Sequence, residues 1–189
     1  MKSCRSGIAV ILLATLGGVS ACKENRPETT QDTEVNPTQE QIVVGRITFL
    51  ERNVYRFLRD AKDWTLAMRD IPVKEGDVLY TAVQGRSELT IPNDTKIRLN
   101  GNTKVQLDGM KANLTSVYVN SGTVRIQNRS ADTILKVDTP FGQVLSRQPS
   151  TVDVYVGPKS AVVTAINGTT RFVDVKEKHY DVKPDSSSL

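Results

Sequence analysis

Ser116-Val117-Tyr118-Val119-Asn120-Ser121-Gly122-Thr123-Val124-Arg125-Ile126 holds two runs in which apolar and polar side chains alternate, separated by a polar corner that ends in glycine. Alternation at period two puts every second side chain on one face of an extended chain, so each run reads as a half-buried strand. The valine, isoleucine, threonine and tyrosine in both runs favour the same assignment. Glycine at the corner accepts a left-handed backbone angle without the Cβ penalty that other residues meet.

The same unit of strand, polar corner, glycine and strand recurs on either side. Ile97-Arg98-Leu99-Asn100-Gly101, Val137-Asp138-Thr139-Pro140-Phe141-Gly142 and Val163-Thr164-Ala165-Ile166-Asn167-Gly168 align with it, and the glycines are spaced by 21, 20 and 26 residues. That spacing is in the range of stacked structural repeats. Further alternating runs lie at Ile42–Val44, Glu88–Ile91, Lys96–Leu99, Lys104–Leu107, Ile134–Val137, Val152–Val156 and Arg171–Val175. Only Val54–Arg69 tolerates a helical reading, its apolar residues being spaced ambiguously, with strands favoured around it. The fold class is therefore all-β. Two architectures fit: a twisted β-solenoid or β-helix-like stack of short strands, or a β-sandwich of hairpins. In the sandwich, Asn100-Gly101 and Asn167-Gly168 would be two-residue turns.

Ahead of this domain, Lys2 and Arg5 precede the apolar run Gly7–Leu16, and Val19-Ser20-Ala21-Cys22 follows. Charge, short apolar core and small-residue cleavage site are the order of a signal peptide, and the apolar run is shorter than the ~20 residues that span a bilayer as a helix. The tetrapeptide reads as a bacterial lipobox, in which small residues let the chain lie extended in a protease and the Cys22 thiol accepts the lipid. The expected divisions are a lipoprotein signal peptide over 1–21, a flexible tether over 22–41, a β domain over 42–182 and a disordered tail over 183–189. The tether has Pro27, Pro37 and one apolar residue, Val35, too little to offset the entropy of ordering. Two acyl chains on Cys22, at ~0.8 kcal/mol per buried methylene, would hold the protein to a membrane. Cys4 lies in the removed segment, so the mature chain would carry one cysteine and no internal disulfide.

The formal net charge of +4 includes Lys2 and Arg5, so the mature chain is only weakly basic. Lys and Arg are scattered among acids rather than gathered in a stripe, which argues against a nucleic-acid partner. The single histidine, His179, lies in a polar segment and is expected to be solvated. No histidine and cysteine spacing supports a metal site, and no residue pattern calls for a cofactor. Asp60, Asp63, Asp70, Glu75 and Asp77 form an acidic group with Arg59, Lys62, Arg69 and Lys74 beside them. Paired carboxylates can hydrolyse glycosides or hold calcium, but only at the right separation; surface ion pairing is the simpler expectation. Trp64 is expected to cover one end of the core. The Asn-x-Ser/Thr triplets at Asn93, Asn113, Asn128 and Asn167 are expected to be chance matches in a bacterial chain.

From Trp64 to Val175 the chain resembles the FecR-like domain, a family of bacterial envelope domains named for a ferric-citrate regulator. Gly76-Asp77-Val78-Leu79-Tyr80-Thr81 is similar to the family's Gly-Asp-x-Leu-x-Thr signature, and Arg86–Ile91 and Lys96–Leu99 to the strands that follow. Asn120–Ile126 resembles its glycine-centred strand pair, and Val137–Gly142 its Val-x-Thr-Pro-x-Gly motif. Two departures stand out: Asn93-Asp94 where the family usually has Asp-Gly, and Pro149-Ser150-Thr151 where it has Gly-Thr. The resemblance favours the solenoid. It also implies that transmembrane members carry a cytoplasmic sigma-binding segment and a membrane helix, which this chain is not expected to share.

The expected function is a non-catalytic binding or assembly module. It would be anchored through Cys22 in the bacterial envelope, face the periplasm, and contact an envelope protein or polysaccharide. Lys23 after Cys22, rather than aspartate, points to the outer membrane. The alternatives are a cell-wall glycan hydrolase using the acidic residues and a secreted structural subunit.

Overall fold

The computed structural model describes residues 43–58 and 62–184, and the backbone of 187–188. The expected signal peptide, Cys22, the expected tether and Asp60 lie outside the described residues. Those described belong to the compact unit Thr38–Leu189. They form β1 (Gly45–Glu51), β2 (Val54–Leu58), β3 (Asp63–Leu66), β4 (Pro72–Val73), β5 (Val78–Thr81), β6 (Arg86–Ile91), β7 (Thr95–Leu99) and β8 (Lys104–Lys111). After these come β9 (Leu114–Asn128), β10 (Ile134–Thr139), β11 (Gly142–Ser146), β12 (Ser150–Val156), β13 (Ala161–Asn167), β14 (Thr170–Asp174), β15 (His179–Val182) and β16 (Ser187–Ser188). The described residues contain no helix, and none long and apolar enough to cross a membrane.

The stretch that opened the sequence reading becomes one bent strand. β9 is 15 residues long, and its two halves belong to different ladders of an open sheet. The first half pairs with β8 and β10, in a ladder ordered β15-β14-β11-β10-β9-β8-β5-β2-β3. The second half pairs with β7 and β12, in a ladder ordered β4-β1-β6-β7-β9-β12-β13-β16. Among the described residues every strand ladder is antiparallel except β9 with β10. Gly122 marks the bend with φ of +90°.

The recurring glycines take two different jobs. Asn100-Gly101 lies between β7 and β8, and Asn167-Gly168 ends β13 and leads into β14, so each carries the chain from the second ladder to the first. Neither is a hairpin turn. Gly142 instead closes the β10–β11 hairpin, where Thr139 Oγ1 accepts from Phe141 N and donates to the Gly142 carbonyl. At the family departure Asn93-Asp94, Asp94 itself adopts φ of 62°, the region that glycine would occupy and that a short polar side chain tolerates.

Val117 and Val119 from the first half of β9 and Val124 and Ile126 from the second are fully buried, and they join Leu79, Leu107, Leu89, Ile97 and Val154 in one core. Each such side chain contributes about 1.5–3 kcal/mol by leaving water. Hydrogen-bonded polar groups close the core on two sides. Next to the Gly122 bend, Thr103 N donates to Thr81 Oγ1 at 2.9 Å and Thr123 N donates to Thr103 Oγ1 at 3.0 Å. Elsewhere Asn93 Nδ2 donates to Thr115 Oγ1 at 2.9 Å and Asn128 Nδ2 to the Thr133 carbonyl at 2.8 Å. Asn93 and Asn128 are thus buried structural amides, although each begins a glycosylation-like triplet.

Val54–Arg69 supplies the β2–β3 hairpin rather than a helix. The strand starts later than the Ile42–Val44 run implies: β1 begins at Gly45, and Val43 donates its N–H to the Met110 carbonyl and packs against the core. Pro184 bridges to Ala165, and Ser187–Ser188 pair with Val163 and Thr164 because the outer edge of β13 offers unpaired backbone groups.

Candidate functional site

Side chains in register across antiparallel strands stand on one face, so the pairings define what each ladder shows to solvent. On the first ladder, Leu66, Tyr55, Tyr80 and Lys104 lie opposite one another from β3 through β8. The neighbouring row runs Trp64, Phe57, Val78, Gln106 and Tyr118. Tyr55 stacks on Tyr80 with ring centres 6.4 Å apart, and Phe57 meets Trp64 at 5.4 Å with the rings tilted by 56°. Lys104 Nζ lies 5.8 Å from the Trp64 ring centre, within cation–π range. A groove of about 330 Å³ runs between Phe57, Trp64, Lys104 and Tyr118. Trp64 is 41% exposed, Leu66 60% and Met68 64%. Trp64 therefore does not cap the core as expected; it sits on an edge strand whose four residues are all exposed.

The opposite face of β2, β5 and β8 is ordinary core apart from one ion pair. Arg56 and Asp77 are both buried, and the Arg56 guanidinium donates to Asp77, which also accepts from Lys74 N at 2.8 Å. Gly76, with φ of 89°, makes the turn that delivers Asp77 there, as its Gly-Asp sequence implied.

The second ladder shows solvent a charged row. Phe49, Glu88, Arg98, Arg125, Asp153 and Thr164 stand opposite one another across β1, β6, β7, β9, β12 and β13. Arg98 Nε donates to Glu88 at 2.6 Å, and Arg125 grips Asp153 through Nε and Nη2, both at 2.7 Å. The hydrogen bond and then the charge of Asp153 raise the Arg125 pKa. Burial pushes the Glu88 carboxyl up, but the hydrogen bond and charge of Arg98, joined by Lys96, outweigh it and hold the pKa below its usual value.

A carboxylate whose folded pKa is depressed adds stability above its unfolded pKa and loses it as pH falls through the folded value. Acidification through the carboxylate range is accordingly expected to weaken the fold, and Glu88→Gln to flatten part of that loss. Urea unfolding from about pH 7 to about pH 3 reads this directly; parallel profiles for the two proteins would remove Glu88 from the account.

The acidic group is not one constellation. Asp63 is exposed on β3, and its carboxylate accepts from Trp64 N at 2.7 Å. Asp70 is exposed in a turn with φ of 64°. Glu75 accepts from Met110 N at 3.4 Å, and Asp77 is committed to Arg56. His179 is exposed on β15 opposite Val173. Among the described residues no group of three or more His, Cys, Asp or Glu is placed to hold a metal. Sequence reasoning missed both outer rows. The i, i+2 pairs Tyr55/Phe57 and Trp64/Leu66 were available as a signal of an apolar outer face, whereas the charged row unites six strands and has no local signature.

These faces define an open-sheet, all-β domain with two chemically distinct outer surfaces. The family model described as FecR protein matches residues 77–171, half of the chain, and the chain belongs to that family. Two crystal structures of a "putative anti-sigma factor" from Parabacteroides distasonis ATCC 8503 share the fold, each with a TM-score of 0.51 and 16% identity over 58% of this chain. The match covers 52% of that protein, so this chain spans about half its length. No curated protein matches significantly.

Proposed function

We propose that this chain is a non-catalytic signalling or assembly module of a bacterial envelope, anchored by lipid on Cys22 and facing the periplasm. Its working surface is the aromatic face of the first ladder, and the occupant is an envelope protein. The exposed side chains of Trp64, Leu66, Met68 and Tyr80, continued by the half-buried Tyr55 and Phe57, carry this reading. Contiguous exposed apolar surface marks an interaction site, and Trp and Tyr are the residues that most often dominate protein interfaces. Leu66 and Met68 offer no ring face to a sugar, which favours a protein over a polysaccharide here. Membership of the FecR family and the fold shared with a protein described as an anti-sigma factor support the regulatory class. The separate engagements of Asp63 and Asp77 give the glycan-hydrolase alternative no support.

A photocrosslinking amino acid in place of Leu66 is expected to trap one protein of discrete mass in living cells, and one in place of Thr164 to trap none. Adding Trp64→Ser and Tyr80→Ser should cut the yield about tenfold or more, the effect of losing interface hot spots, with the unfolding midpoint unchanged. Adducts to lipid alone, or equal yields from both positions, would refute the docking face. The anchor is tested separately by labelled palmitate: label is expected on the wild-type chain and absent from Cys22→Ala.

A further inference from the structure

The charged row on the second ladder has an arrangement that folding alone does not require. Arg98 and Arg125 are register partners on adjacent strands, and like charges placed directly opposite destabilise a sheet. Their acids lie outside them, Glu88 toward β6 and Asp153 toward β12, so both guanidiniums are oriented by fixed partners. Those bonds use Nε of Arg98 and Nε and Nη2 of Arg125. An arginine has five N–H donors, so both Nη groups of Arg98 and Nη1 of Arg125 remain for an outside acceptor.

Two adjoining grooves share these residues. One, of about 470 Å³, adds Phe49, Asn100 and Thr123 to the arginines; the other, of about 300 Å³, adds Lys96, Gln127 and Asn167. Lys96, from the adjoining register row, joins Arg98 and Arg125 against Glu88 and Asp153, which leaves the paired grooves positive. Phe49 is 46% exposed at one end. Guanidinium forks match the oxygens of a carboxylate or phosphate. Amides and hydroxyls match sugar hydroxyls, and the negative face of an aromatic ring attracts the C–H face of a pyranose. This groove crosses strands in mid-sheet, away from the free edges where extended peptides add.

We propose that the Arg98–Arg125 row binds an acidic saccharide, its carboxylate or phosphate held by the two guanidiniums and a sugar ring laid against Phe49. This site is on the other ladder from the docking face and does not depend on it. Titration calorimetry of the full chain in detergent, with a galacturonate oligomer, a phosphomannan oligomer, neutral dextran and polyglutamate, tests it. At least one acidic saccharide should bind more tightly than polyglutamate, and dextran should not bind; the two acidic arms tell carboxylate from phosphate. Arg98→Lys with Arg125→Lys keeps the charges and removes the forks, and is expected to weaken binding about tenfold. Arg171→Gln, which removes an exposed charge on the first ladder, should leave it within about twofold. Phe49→Ala should weaken the saccharide without changing the unfolding midpoint. Failure of both saccharides to bind, equal binding of polyglutamate, or an equal loss from Arg171→Gln would overturn the proposal.

Discussion

Gly122→Ala is expected to cost about 2–5 kcal/mol, a large part of the ~5–15 kcal/mol that holds a domain together. The residue lies in the bend of β9 with φ of +90°, where a side chain is strained by about 1–2 kcal/mol. An added Cβ would also lie 2.4 Å from Thr103 Oγ1 and 2.5 Å from both Asn102 O and Thr103 Cα. Two of those three atoms are backbone, and the hydroxyl is bonded to the β9 chain itself, so relief means moving the point where β9 passes between ladders. Overpacking of this kind adds about 1–3 kcal/mol. Gly157→Ala is the control: its Cβ would meet only the Tyr155 side chain, at 3.0 Å. Urea unfolding should place the Gly122 variant far below the Gly157 variant. Equal midpoints would show that the bend tolerates an ordinary residue.

Asp77→Ala is expected to cost a similar amount, about 3–5 kcal/mol, because it leaves the Arg56 charge buried without its carboxylate. Side-chain exposure is 10% for Arg56 and 2% for Asp77, so water cannot replace the lost partner. The Lys74 amide loses its acceptor as well. Replacing both partners, Arg56→Met with Asp77→Leu, should recover most of that loss, since a buried pair contributes little net stability over well-packed apolar groups. Thermal unfolding of the single and double variants reads the difference. A double variant as unstable as the single one would mean that the turn at Gly76-Asp77, rather than the unpaired charge, governs the cost.

The fate of Asp77 shows how far the residues could be read alone. Its turn chemistry was legible, since Gly-Asp before a strand is a local signal, and the turn forms. Its partner was not, because Arg56 lies 21 residues earlier and meets it only through the pairing of β2 with β5. Trp64 teaches the same lesson from the other direction. A large aromatic next to an alternating run is most economically placed over a core, yet β3 pairs only with β2 and leaves all four of its residues exposed. The two asparagine-glycine turns were visible as corners, but nothing local told a hairpin from a passage between ladders.

Strand content, the positions of bends and the all-β class follow from the sequence by itself, because alternation and turn chemistry act over a few residues. The pairing of ladders through β9, the aromatic face and the Arg98–Arg125 row were decided only by tertiary structure. Period two says which side chains share a face of one strand and is blind to which strand comes to lie beside it. Neighbours are chosen by burial of one common core, a sum over the whole chain that no single segment records.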